Sequence, residues 1–207
     1  MNFPALAEVL DENSSVLVLC DDIYEHIIYR PNVFATLVEV EPRLKERTLT
    51  INGVPKAYAM KGWRIGYAGD PNWLIAAMTK RQGQSTTNPS SVSQAAAVAA
   101  LEGKQVCLRE RRVICLKRRN QVVQSINAID GLSTETLDGG FYLFACCEDL
   151  LGQQKPSGEV LTSDTALVEF LLEASEVAFV LGSEFGLSQY FHLCFAGKSM
   201  SWRLRLK

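Results

Sequence analysis

Val16-Leu-Val-Leu-Cys20 is an unbroken apolar run that stops at Asp21-Asp22. A short run of this kind reads as a strand covered on both faces, as in a parallel sheet, and it leaves a carboxylate at the strand's carboxyl end. Arg47-Thr-Leu-Thr-Ile51, halted by Asn52-Gly53, predicts a second strand, and Trp63 to Ala68, halted by Gly69, a third. Asp70-Pro71 then opens a predicted helix running to Met78, with the aspartate as cap and the proline in the first turn. A further helix is predicted from Ser90 to Glu102, closed by Gly103.

From Lys104 to Ile129 the spacing predicts one long helix, in which Arg109-Glu-Arg-Arg112 and Lys117-Arg-Arg119 punctuate apolar residues. Those basic groups alternate with Val113, Ile114, Leu116, Val122, Val123 and Ile126, so a solvated helix face explains them better than a nucleic-acid surface. After Gly131 the pattern turns to α+β: strands over 132–137 and 141–146 about a Gly139-Gly140 turn, a polar loop to Ser163, a helix over 164–175, and strands over 177–181 and 190–195. The expected organisation is an α/β sheet domain over 1–103 with mostly parallel strands, a connecting helix over 104–130, and a smaller α+β domain over 131–207.

Composition narrows the function. The 207 residues are 47% hydrophobic and carry a net charge of -2, which fits a folded chain and neither a disordered nor a strongly basic one. The apolar runs fall short of the roughly 20 residues that span a bilayer, so no membrane partner is expected. Glu8, Asp11 and Glu12 stand where a secretory leader would be basic and then apolar, which predicts a cytoplasmic protein. Six dispersed cysteines without a C-x-x-C pair read as buried, reduced thiols. Two histidines, His26 and His192, exclude a zinc site built on several imidazoles, and no metal is expected.

Three segments carry chemistry. Asp21-Asp-Ile-Tyr24-Glu-His26 places a carboxylate at a strand end with a phenol just beyond it, Asn52-Gly-Val-Pro-Lys56 places an amine on a tight turn, and Lys61-Gly-Trp-Arg64-Ile-Gly-Tyr67 places a guanidinium at the entry to the next strand. Singly, each is as well explained by a cap, a turn or a hydrated surface. Their order and spacing, with Asn88-Pro-Ser-Ser-Val-Ser-Gln94, Asp138-Gly-Gly-Phe-Tyr142 and Gly182-Ser-Glu-Phe-Gly186, resemble the class I/II aminotransferases of fold type I, and within them the bacterial aspartate aminotransferase branch. The resemblance runs over about residues 5 to 196.

That resemblance implies a pyridoxal 5'-phosphate enzyme moving an amino group between an amino acid and a 2-oxo acid, as a homodimer with no nucleic-acid partner. It matches Lys56 to the lysine that holds the cofactor as a Schiff base and moves the substrate proton, since a primary amine can do both. Asp21 matches the carboxylate that keeps the pyridine nitrogen protonated, Tyr24 the phenol at the cofactor's 3' oxygen, and Arg64 the arginine forked onto its phosphate. It makes 1–103 the carboxyl-terminal part of the large cofactor-binding domain and 131–207 the small domain.

The sequence also departs from the family. Asp21 lies only about twenty residues from Met1, and the family segments that supply a phosphate-binding helix N-terminus and a ring-stacking aromatic precede that point, so an incomplete large domain is expected. In Tyr190-Phe-His192-Leu-Cys-Phe-Ala196 the histidine occupies the position of the arginine that clamps the substrate carboxylate. Beyond Ala196 the family continues into a long helix, whereas Gly197 to Lys207 is short and basic, an aberrant carboxyl terminus. The alternatives are a fragment that retains aminotransferase chemistry and an inactive remnant or interaction module of the family.

Overall fold

The computed structural model describes residues 2–197, so the unusual tail beyond them lies outside the described residues. The chain divides into two compact units, Met1–Arg112 and Val113–Lys207.

The first unit starts with a helix that the apolar pattern did not flag, α1 (Phe3–Glu12), which Asn2 caps by accepting from the Ala5 N–H at 3.2 Å. Its buried Ala7 and Leu10 pack on Leu37 and Leu44, with Val18 and Cys20 partly buried against them. Leu37 belongs to the one-turn helix α2 (Leu37–Val40), which leads into a 3-10 turn and then into β2 (Thr48–Gly53). β1 (Val18–Asp21) pairs parallel with β2, and β2 pairs antiparallel with β3 (Gly66–Gly69), giving the order β1-β2-β3.

Two expectations need correction here. The strands are not mostly parallel: the segment from Val54 to Ile65 holds only a 3-10 turn, with no crossover helix to return the chain to the opposite end of the sheet, so β3 runs back against β2. Nor is β1 covered on both faces. Val18 and Cys20 meet the α1 cluster, while Leu19 is 62% exposed and Leu17 54%.

The helices α3 (Asn72–Gly83) and α4 (Ser91–Glu102) follow. Asp70 does not cap α3 as expected; Pro71 takes the N-cap position without a side-chain bond, and the Asp70 carboxylate lies 3.5 Å from Lys45 Nζ. Gly103 closes α4, where an added Cβ would lie 2.6 Å from the Ala99 carbonyl oxygen. The predicted long helix is α5 (Val106–Ile126), and the boundary between the units falls inside it.

The second unit holds an antiparallel sheet of order β4-β6-β5, formed by β4 (Tyr142–Cys146), β5 (Val180–Leu181) and β6 (Tyr190–Cys194). Alternation sets its faces: Leu143, Ala145, Phe191 and Leu193 are buried, and Leu167 and Val168 of α6 (Asp164–Ser175) are buried in the same unit. The strand expected over 132–137 is reduced to a single bridge, Ser133 to Cys146, and that over 177–181 to its last two residues. All six cysteines are free, but only Cys115 and Cys147 are buried, so the expected burial holds for two.

Candidate active site

Parallel pairing of β1 with β2 brings both carboxyl ends to one end of the first sheet, and the antiparallel β3 begins there. Asp21 is the last residue of β1, opposite Ile51, and its Oδ1 accepts from the Ile23 N–H at 3.3 Å. That short turn continues through Asp22 to Glu25 and delivers Tyr24, half-buried, beside the next loop.

The loop carrying Lys56 is held from several sides. Gly53 faces Gly66 so closely that an added Cβ would lie 3.0 Å from the Ile65 carbonyl oxygen and 3.1 Å from Gly66 Cα, so a side chain at Gly53 would crowd the backbone of β3's entry. Asn52 Oδ1 also accepts from the Gly53 N–H at 2.7 Å. Beneath the loop, Val54, Ala57, Tyr58 and Ile65 form a buried cluster with Ala97 and Leu108. Lys56 is left half-buried with its Nζ 5.3 Å from the centroid of the Tyr24 ring, a cation-π separation. Arg64, in the left-handed region at φ 56°, is exposed, and its guanidinium donates to the Lys61 carbonyl at 3.3 Å.

Asp21, Tyr24, Lys56 and Arg64 thus lie at one end of one sheet, with Lys56 and Tyr24 in ring contact. His192 belongs to the other unit, in the middle of β6 opposite Phe144. Its imidazole stacks on Tyr142 at 4.5 Å, with Phe185 at 5.4 Å and Phe144 at 6.4 Å between ring centroids. Burial among these rings pushes its pKa below the ordinary histidine value.

Three supporting residues escaped the sequence reading. Tyr58 Oη donates to Gln105 Oε1 at 2.8 Å, Gln105 Nε2 bonds the carbonyls of Ala100, Leu101 and Gly103 at the end of α4, and Arg111 donates to the Ala57 carbonyl at 3.0 Å. Together they tie the lysine loop to α4 and α5. Burial, and then the neighbouring Cys107 and Glu25, raise the Tyr58 phenol above its ordinary value. The signal for Arg111 was present in the basic cluster, but spacing does not say which arginine of a run turns inward.

The group fits the chemical needs of pyridoxal phosphate as a donor set: a primary amine, a carboxylate, a phenol and a guanidinium at adjoining strand ends and turns. The sequence profile of the family described as Aminotransferase class I and II matches residues 2–202. The chain is 51% identical over 195 residues to an aspartate aminotransferase of Rhizobium meliloti (strain 1021), covering 94% of this chain and 48% of that protein. It is 48% identical over 192 residues to a probable aspartate/prephenate aminotransferase of Rhizobium leguminosarum bv. phaseoli, covering 93% and 48%. Among solved structures, the aspartate aminotransferase of Rhizobium meliloti superposes with a TM-score of 0.94 at 48% identity, over 99% of this chain and 51% of that one. A Thermus thermophilus aspartate aminotransferase double mutant does so with a TM-score of 0.84 at 32% identity, over 99% and 50%. The chain therefore spans about half the length of these relatives and has the corresponding half of their fold type I architecture. It belongs to the class I and II aminotransferases, with relatives named aspartate aminotransferase.

Proposed function

We propose that the strand-end group is the lysine side of an aminotransferase site, acting with pyridoxal 5'-phosphate on an amino acid and a 2-oxo acid. The observation that carries this reading is the approach of Lys56 Nζ to the Tyr24 ring at the sheet end where Asp21 terminates β1. Pyridoxal phosphate, when bound, supplies an aldehyde and a ring that withdraws electrons from the substrate's Cα. Lys56 would hold the cofactor through its primary amine, condensing with the aldehyde with loss of water, and once freed it would carry a proton to or from Cα as a general base. With the cofactor bound, Asp21 would hold a proton on the pyridine nitrogen by its charge, Tyr24 would donate to the ring oxygen and Arg64 would hold the phosphate. In this reading 1–103 is the carboxyl-terminal part of the large domain, 104–130 the connecting helix and 131–207 the small domain. The relatives' names make aspartate the first amino donor to test; cytoplasmic homodimers are the expected state.

His192 stands for the arginine that would clamp the substrate carboxylate. A neutral imidazole gives one donor where a guanidinium gives a charged fork, and loss of such a contact costs about 2–5 kcal/mol. Turnover is therefore expected to be slow and to improve in His192→Arg. The decisive experiment is incubation with pyridoxal phosphate, borohydride reduction and peptide mass mapping. Label concentrated on the Lys56 peptide and lost in Lys56→Ala supports the assignment; label spread evenly over surface lysines and unchanged by that substitution refutes it.

A further inference from the structure

Arg109 to Arg112 is not accounted for by the strand-end site, Arg111 excepted. Arg112 is half-buried and lines two adjacent cavities of the first unit, of about 770 and 290 Å³, that share Glu25 as well. The larger also has Arg30 in its wall, and the smaller has Arg109. Within the described residues none of these three guanidinium groups has a hydrogen-bond or ion-pair partner, in contrast to Arg111 on the Ala57 carbonyl. Glu25, which both cavities share, makes no ion pair with them among the described residues; its Oε1 lies 2.8 Å from His26 Nε2. The rest of the larger cavity wall is mainly apolar, with Ile28, Pro31 and Phe34. A cavity in the size range of small-ligand sites, with apolar walls and two unpaired guanidinium groups, is built for a molecule that is anionic at one end and apolar at the other.

We propose that this cleft binds a small organic carboxylate, the carboxylate meeting Arg30 and Arg112 and the apolar body lying against Ile28 and Phe34. The site is separate from the strand-end group: none of Asp21, Tyr24, Lys56 or Arg64 lines it. Lysine would serve poorly in either arginine position, because the planar fork is what matches a carboxylate with two bonds.

The test is a fluorine-NMR titration of the full chain with 3-(4-fluorophenyl)propionate, with its uncharged amide as control. The expected result is saturable binding of the carboxylate that weakens about tenfold or more in Arg30→Gln and in Arg112→Gln, and binding of the amide that is weaker by a similar factor. Arg30 is exposed on a loop, so Arg30→Gln keeps its fold and carries the test even if Arg112→Gln is destabilised. Lys56→Ala is expected to bind the probe as the unmodified chain does. Inorganic phosphate is expected to compete no better than sodium chloride at equal ionic strength. Equal binding of acid and amide, unchanged binding in Arg30→Gln, loss of binding in Lys56→Ala, or tight competition by phosphate would each overturn the proposal.

Discussion

Asp164 is only 3% exposed, and burial by itself would raise its pKa. The Ser183 N–H at 2.8 Å, the Ser183 hydroxyl and the Thr165 N–H at 3.0 Å outweigh that burial and hold the carboxyl below its ordinary range. A folded-state pKa below the unfolded value of about 3.9 means that the ionised group stabilises the fold above that pH, and that this stabilisation fades as pH falls through the lower folded value. Asp164→Ala is therefore expected to cost about 1–3 kcal/mol at pH 7 in urea unfolding, by leaving buried donors unmet, and the gap to the unmodified chain should close in acid. His192 runs the other way. Its pKa is lowered by burial, so the unfolded chain takes up its proton first and acidification below about pH 6.5 works against the fold. An NMR titration of the His192 ring should give a midpoint below that reference value, and one above it would contradict the stacking environment.

Arg47 shows what a single side chain contributes to an element. Its guanidinium donates to the carbonyls of Leu10 at 2.6 Å and Asn13 at 3.0 Å, a second donor for carbonyls that already accept from the Asn13 and Val16 N–H groups, and it places positive charge at the negative end of α1. Arg47→Ala should destabilise by about 1–2 kcal/mol and speed hydrogen exchange in α1 relative to α4. An equal change in both helices would show that the loss is global. Elements of this kind were unevenly legible. α4, α6, β4 and β6 declared themselves through periodicity and caps such as Ser163, whose Oγ accepts from the Ala166 N–H at 3.2 Å. α1 did not, because its packing partners, Leu37 and Leu44, lie far along the chain. The strand over 132–137 failed because alternation cannot tell a paired strand from an extended segment with one bridge, and β3 began late because Arg64 takes a left-handed conformation at φ 56°.

For the molecule as a whole, the shared placement of the four motif residues at one sheet end was more legible than the direction of the strands that carry them. Asp21, Tyr24, Lys56 and Arg64 sit on short motifs whose geometry is local, whereas strand direction depends on connections, and Tyr58, Gln105 and Arg111 act through contacts across 47 and 54 positions of sequence. The reading of β1 as doubly covered was wrong in a way that has a consequence for the protein in solution. β1 is an edge strand of its sheet; Leu19 on it is 62% exposed, and Val16 and Leu17 just before it are 44 and 54% exposed. An apolar strand edge offers unpaired backbone groups and greasy side chains to another chain, and a net charge of -2 over 207 residues opposes such contact only weakly. The unmodified chain should therefore associate increasingly with concentration. Leu17→Lys, just before that strand, and Leu19→Lys, on it, add a charge without entering a core, so each should leave stability within about 0.5 kcal/mol while shifting association to higher concentration. Sedimentation velocity across a concentration series is the measurement. A chain that stays monomeric throughout, or lysine variants that associate as readily as the original, would show that this edge is not the adhesive surface.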